Sequence, residues 1–540
     1  MPKRFKDPVY GYIEIDESII IQIVDTPVFQ RLRDVVQTSY GPLYSSAVHN
    51  RFVHSLGVHH LGKMASRAFL KSIRKTAPSI FPDSDRCAEV FKLACLLHDV
   101  GHAPFSHTGE KFYLNRGQRT ALHEKLVSLT RDPVLKEEIR DCSYKAAPHE
   151  LMSACIALEA FKEMIPQDLA SFFARCITGY KYAKEMDVEK SCRNCFIELL
   201  NSKIIDVDKL DYLLRDSYMT GFDTITIDYE RLLRSIRAIP GNSGLYRVCY
   251  EKGAVSVIEN VVYAHDAERK WIQNHPIVLY EAYLLEQIID QILHELLKEE
   301  TLSSNMLSAE GVDIAGHGRL RLMGDSDFRY LMKNLSSSRE ACEFYDRNRR
   351  KHPLWKTEAE FQAIFFHHEA ELKVIEDEFD SLRTHLRSLG LPFILNSDAL
   401  KASTQELASL RSARLESEKL EAAIEENQRH IRWMEIFRSF SNQEHIPFDF
   451  LVIYANQFNS GFRKQEFGNI ELVFPELKVP CRFGDVSNVL TAEKSKGEKF
   501  FFLYYSRKED KKIKIGKLIR DMLKLAGEIR VEQSAAERLN

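Results

Sequence analysis

CLLHDVGHAPFSHTGE, residues 95–110, sets three histidines and two carboxylates directly behind an apolar run. In FKLACLLHD (91–99) the apolar positions are Phe91, Leu93, Ala94, Leu96 and Leu97, the pattern of a buried helix. Its charged end must be satisfied, because an unpaired buried carboxylate is costly. A capping Asp99 with hydrogen-bonding histidines would satisfy it. So would a metal ion, since imidazole nitrogen and carboxylate oxygen together suit iron, manganese, zinc or nickel. The second reading needs ligands from elsewhere in the chain.

Two stretches offer them. RFVHSLGVHHLG (51–62) carries His54 beside Arg51, and IIDVDKLDYLLRD (204–216) carries acids on an amphipathic helix. There Asp208, Asp211 or Tyr212, and Arg215 share a face by helical spacing. Asp206 lies about 200° round the helix from Asp208, so only one of the two can face an ion. His54, His98, Asp99 and Asp208 would form a two-histidine, two-carboxylate shell with positions open for water and substrate. An ion so held lowers the pKa of bound water and polarises a phosphoryl oxygen.

The remaining chain sets limits. At 540 residues, two or more domains or lobes are expected. A net charge of −3 gives no whole-chain attraction to nucleic acid or an anionic membrane. No apolar run reaches membrane-spanning length, and MPKRFKDPVYGY has no signal-like region. Ten scattered cysteines suit a reduced cytoplasmic setting, and the lone Cys192-Arg-Asn-Cys195 motif is expected to be structural. His59, His60 and His123 are expected to pack or face solvent. Residues 1–300 read as a helical core, and 301–355 as a connecting segment with a helix and the basic run RNRRKH (347–352). Residues 356–440 read as a charged helical hairpin and 441–540 as a small α/β lobe. In the last stretch PFDFLVIYA, IELVF and EKFFFLYY are strand-like, and a lysine-rich segment returns to helix.

The ordered series KDPVYGYIEI, DTPVFQRLRDVVQ, HNRFVHSLGV, HDVGHAPFSH, PHELMS and DVDKLDYLLRD closely resembles the HD-domain superfamily. More narrowly, it is similar to the dNTP triphosphohydrolase branch, the catalytic core of sterile-alpha-motif and HD-domain dNTPases. The resemblance covers roughly residues 7–220. It implies a mainly α fold and one divalent transition metal (Mn, Fe, Zn or Ni) on His54, His98, Asp99 and Asp208. Magnesium could accompany the nucleotide. The implied reaction converts a dNTP to deoxynucleoside and inorganic triphosphate.

By the same resemblance His102, His107 and His149 line the phosphate site, with His107 catalytic and Glu110 orienting it. Arg51, Lys209, Tyr212 and Asp216 place phosphates and sugar, and Gln37 stands near the 3′-hydroxyl. Asp25, Gln30 and Arg33 match a guanine-nucleotide activating site at a subunit interface, which implies a dimer or tetramer and a GTP or dNTP activator.

The chain departs from the branch past residue 220. No sterile-alpha-motif domain is expected before the core. The expected triphosphate-gripping run is replaced by AHDAERKWIQNHPIVLYEAYLLEQIID (264–290), where Arg269, Lys270 and His275 are candidates and Pro276 stands near the family's lysine. Three functions compete: a dNTP triphosphohydrolase; an HD phosphodiesterase or nuclease using RNRRKH and the lysine tail on phosphate backbones; and a non-enzymatic scaffold. The complete ligand set and the His107–Glu110 pair favour an enzyme.

Overall fold

The computed structural model describes residues 2–38, 41–76, 80–113, 116–222, 226–299, 301–314, 316, 318–335, 338–412, 418–455, 464–477, 479–489, 500–506 and 513–539. The fold is mainly α, as the sequence predicts, with small sheets. Its two compact units are not serial segments of the chain. One comprises Met1–Gln273, Glu281–Ala341 and the described residues of 458–496; the other comprises Asn274–Tyr280, Cys342–Gln457 and Gly497–Asn540.

In the first unit helix Arg51–Thr76 packs on helix Ser84–Leu97 and on helix Val207–Thr220. Phe196, on helix Val188–Leu200, gathers Phe69, Phe91 and Phe172 around one ring at centroid distances of 4.8, 5.1 and 6.1 Å. Those rings come from three further helices, so a single apolar cluster fixes the framework. Gly57 lies where a side chain would collide with Asp211 and Arg215, so glycine permits the close approach of helix Val207–Thr220. A small sheet completes the unit. Strand Tyr246–Glu251 pairs antiparallel with Ile236–Pro240 and parallel with Glu471–Val473.

The second unit is a four-stranded antiparallel sheet in the order His352–Pro353, Phe501–Tyr505, Asp449–Tyr454, Ile394–Asn396. Helices Glu369–Ser388, Ser397–Ser412, Glu418–Glu444 and Gly516–Leu539 belong to the same unit. The hairpin and the strand-rich tail therefore share one core, in which Trp355 and Trp433 are fully buried. The lysine-rich residues 507–512 lie outside the described residues. No described helix is long and apolar enough to cross a membrane.

Candidate metal centre

Helix Ser84–Leu97 ends at His98, and the next eight residues form a tight turn. Gly101 lets that turn lie against the backbone of Met152 and Ser153, where any side chain would overlap it. Phe105 and Ser106 both adopt the left-handed region, at φ 59° and 52°. That conformation is costly for side-chain-bearing residues and needs support. Asp325 supplies it, accepting from Phe105 N at 2.7 Å and Val36 N at 3.1 Å. Arg31 supplies more, donating to the Val100 and His102 carbonyls at 3.0 and 2.7 Å. The DTPVFQRLR motif thus contributes to the centre through Arg31, which the sequence reading did not single out.

The turn brings His98 and Asp99 to His54 and Asp208. His54 Nε2 stands 3.0 Å from Asp208 Oδ1, 3.3 Å from His98 Nε2 and 3.6 Å from Asp99 Oδ2. His98 Nε2 stands 3.4 Å from Asp99 Oδ1 and 3.6 Å from Asp208 Oδ1. Donor atoms about 2.1 Å from one ion are about 3.0 Å apart at a right angle and about 3.4 Å apart at a tetrahedral angle. The spacing of His54, His98 and Asp208 therefore fits a divalent transition ion, with Asp99 beside them. Asp206 faces away, capping its helix by accepting from Lys209 N at 2.7 Å.

The other atoms of these candidate ligands are held. His54 Nδ1 meets Asp211 Oδ2 at 2.7 Å, and His98 Nδ1 meets the Cys95 carbonyl at 2.9 Å. Each ring is thereby oriented with Nε2 toward the ligand set. Asp211 is itself fixed by Arg215, at 2.9 and 3.0 Å, and by the Tyr10 hydroxyl at 2.7 Å, while Arg215 reaches Asp7 at 2.9 Å. Burial opposes protonation of His54, yet its hydrogen bonds with Asp208 and Asp211 raise it to about 9. Burial alone would raise Asp99, but Arg51, His98 and His102 together outweigh it, and the carboxyl sits well below its usual range.

Beside this set lies a second cluster. Glu110 Oε1 is 3.0 Å from Nδ1 of His102, of His107 and of His149. His102 and His149 stack at 4.2 Å, and His102 Nε2 lies 3.3 Å from Asp99 Oδ1, so one imidazole spans both clusters. Burial lowers His102 to about 4, and Arg51 and His149 add to it. Burial would also lower His149, but the Glu110 carboxylate overrides it and lifts the ring to about 9. His107 is the exposed member, with 59% of its side chain accessible.

The implied substrate residues are placed unevenly. Arg51 is buried and donates to Asp99 at 2.9 Å, Ser106 Oγ at 2.9 Å and the Gln37 carbonyl at 3.2 Å, so its guanidinium is spent on the turn. Lys209 Nζ is likewise engaged, with the Ser202 carbonyl and Asp206, both at 2.7 Å. Asp216 pairs with His49 at 2.7 Å; the sequence reading missed His49, whose only signal was its place just before RFVHSLGV. The Tyr212 hydroxyl and Gln37 Oε1 are buried without a hydrogen-bond partner among the described residues. Gln30 Oε1 accepts from Arg33 Nε at 2.8 Å, Arg33 lies over the Phe52 ring at 3.6 Å, and Asp25 pairs with Lys3 at 3.5 Å. His59 bonds the Lys92 carbonyl, His60 packs against Tyr10, and His123 meets the Tyr180 hydroxyl, all packing roles. Burial pushes the Cys192 thiol up to about 12, which suits an inert side chain. Arg269 and Lys270 occupy a π-helical turn, and Lys270 lies over Trp271.

Residues 51–190 match the HD domain family. Over 238 residues the chain is 34% identical to the Bacillus subtilis uncharacterized protein YwfO, covering 44% of each. It is 29% identical over 283 residues to human deoxynucleoside triphosphate triphosphohydrolase SAMHD1, covering 51% of this chain and 42% of the relative. The Dictyostelium discoideum SAMHD1 homologue is 31% identical over 245 residues, covering 44% of this chain and 40% of the relative. The chain thus spans about half the length of the curated relatives it matches. A phosphohydrolase from Bacteroides thetaiotaomicron shares the fold, with TM-score 0.53 and 18% identity over 94% of this chain and 100% of that one. With the ordered motifs, the converging histidine and aspartate donors and these similarities together, residues 51–190 are an HD domain.

Proposed function

We propose that the chain is a metal-dependent phosphohydrolase that converts dNTPs to deoxynucleosides and inorganic triphosphate. The observation that carries this reading is the junction of two clusters through His102: a metal-ligand set on one side and a histidine–carboxylate set on the other. The printed names of the human and Dictyostelium relatives support the substrate class.

His54, His98, Asp99 and Asp208 would hold a manganese, iron, zinc or nickel ion, which activates water and neutralises charge developing on the phosphate. Arg51 keeps Asp99 ionised and aimed inward. His107 assists departure of the 5′-oxygen by giving it a proton, and Glu110 at Nδ1 fixes its ring for that transfer. His102 and His149 face the phosphates. The Tyr212 hydroxyl is available to a sugar or phosphate oxygen, and Gln37 offers Oε1 to the 3′-hydroxyl. Lys209 acts through its charge, because its ammonium protons are already engaged. Asp25, Gln30 and Arg33 bind an activating guanine nucleotide in a homo-oligomer, a dimer or tetramer.

The rival is an HD phosphodiesterase or nuclease. The RNRRKH run gives it little support, because Arg349 pairs with Asp346, Arg350 donates to the Glu343 and Phe344 carbonyls, and Lys351 pairs with buried Asp449. The test is product analysis by anion exchange. Purified protein with manganese meets each dNTP, alone, in mixtures and with GTP, beside an Asp99→Ala control. Inorganic triphosphate plus deoxynucleoside, absent from the control, is expected. Release only with GTP or a second dNTP would support the Asp25–Gln30–Arg33 site. No release from any mixture overturns the substrate, and single-stranded nucleic acid and cyclic nucleotides are then the substrates to try.

A further inference from the structure

Away from the metal centre, the first unit encloses a cavity of about 680 Å³. That volume suits a small molecule held largely out of solvent. Tyr144, Tyr180 and Tyr250 stand in its wall with Leu199, Ile204 and Ile470. Aromatic and aliphatic surfaces of this kind take a flat ring. The Tyr250 hydroxyl and the Asn469 side-chain amide carry no hydrogen bond among the described residues, so both can bond a ligand.

Charge decides the class of ligand. The cations of the lining are already answered by carboxylates. Lys181 pairs with Glu198, Lys184 with Asp141 at 3.3 Å and Arg247 with Glu471 at 2.5 Å, and Lys203 lies 4.0 Å from Glu466. No spare positive charge is left for a phosphate. An entering triphosphate must displace carboxylates and then face them, whereas an uncharged ring with hydroxyls and amide-like edges need not.

The cavity also backs onto residues of the proposed site. Asn201 Nδ2 donates to Glu150 Oε1 at 2.7 Å, and the Tyr144 hydroxyl donates to Glu150 Oε2 at 3.1 Å. Glu150 accepts from Ala147 N at 2.6 Å at the start of the helix that carries His149. Ser202, in the same wall, accepts from Lys209 Nζ at 2.7 Å through its carbonyl.

We propose that this cavity binds an uncharged deoxynucleoside, with the base against the tyrosine rings and polar atoms at Tyr250 and Asn469. The identity of the ligand rests on the dNTP triphosphohydrolase reading, whose products are a deoxynucleoside and inorganic triphosphate. The lining accepts the first and rejects the second. An occupant touching Asn201 and Ser202 is then one hydrogen bond from Glu150 and from Lys209, so the chain senses its own product.

The test is calorimetric titration of the metal-free full chain with each of the four deoxynucleosides, with inorganic triphosphate and with dGTP. Hydrogen-exchange mass spectrometry locates the binding. At least one deoxynucleoside is expected to bind and to raise amide protection in residues 147–152 and 198–205, and triphosphate is expected to do neither. Val248→Trp, which fills the cavity, is expected to abolish binding. Tyr250→Phe is expected to weaken it about 3- to 10-fold, the worth of one hydrogen bond. Tyr212→Ala, at the metal centre, is expected to keep it, and circular dichroism verifies that each variant folds. No binding by any deoxynucleoside overturns the site, and so does binding that survives Val248→Trp but is lost in Tyr212→Ala. Equal protection by dGTP overturns the assignment to an uncharged ligand. Binding in the cavity without triphosphate release from any dNTP overturns the substrate reading and leaves the cavity site standing.

Discussion

His54 presents Nε2 inward because Asp211 holds Nδ1, and Asp211 is held in turn by Arg215 and Tyr10. Partners behind a metal-binding histidine commonly contribute 10- to 100-fold in affinity. Asp211→Ala is therefore expected to weaken manganese binding by about 10- to 100-fold in a calorimetric titration; an unchanged affinity would remove Asp211 from the centre. Asp325 acts on a different property. Burial raises its carboxyl from 3.8 to about 6, although it accepts two backbone N–H groups. Below about pH 4 both folded and unfolded chains hold the proton. Between about 4 and 6 only the folded chain does, so stability falls across that window by up to about 3 kcal/mol and then levels off. Urea unfolding from pH 4 to 7 is expected to show this loss in the wild type and not in Asp325→Asn.

At the scale of elements, the centre depends on how closely backbones approach. The His98–Ser106 turn reaches helix Pro148–Ala160 only because Gly101 has no side chain, and Tyr113 donates its hydroxyl to the Gly101 carbonyl at 2.6 Å. Gly101→Ala must displace either the turn, with His98 and Asp99, or the helix start, with His149. A loss of about 1–3 kcal/mol is expected from the overlap, together with weakened metal retention after desalting. A variant with lowered melting temperature but full retention would show that the turn absorbs the methyl without moving the ligands.

At the scale of the whole molecule, two units with interleaved sequence each bury their own core. The second unit carries a buried charge pair, Lys351 with Asp449, and Ser506 Oγ donates to the same carboxylate at 3.1 Å. Removing one partner leaves the other charge buried and unpaired, so Lys351→Ala is expected to cost about 3–5 kcal/mol. Trp355 and Trp433 are buried in that unit, whereas Trp271 is partly exposed in the first. Tryptophan fluorescence should therefore report the loss as an earlier denaturant midpoint, while manganese stoichiometry in buffer stays that of the wild type. Loss of bound metal in native buffer would show that the pair supports the first unit as well.

Much of the candidate centre was legible because the chemistry it suggests needs particular residue types in a fixed order. Adjacent His98 and Asp99 at the end of an apolar helix, His54 in RFVHSLGV, and Asp208 in DVDKLDY are signals that local periodicity can read. Helical spacing also settled that Asp206 and Asp208 could not both face inward. What spacing could not read was which distant groups fill the second hydrogen-bonding position of each ligand. Arg31 bonding the Val100 and His102 carbonyls, Asp325 pinning Phe105 and His49 on Asp216 are contacts between residues far apart in the chain. They depend on packing, not on any local pattern. The same holds for residues 471–473, whose strand-like texture was plain but whose parallel pairing with Tyr250 and Glu251 was not. The sequence by itself determined the helical framework and the identity of the donor atoms, because periodicity and side-chain chemistry are local properties. Only the tertiary structure decided which atoms converge and which are already spent, because that depends on backbone approach and on competition for each donor and acceptor.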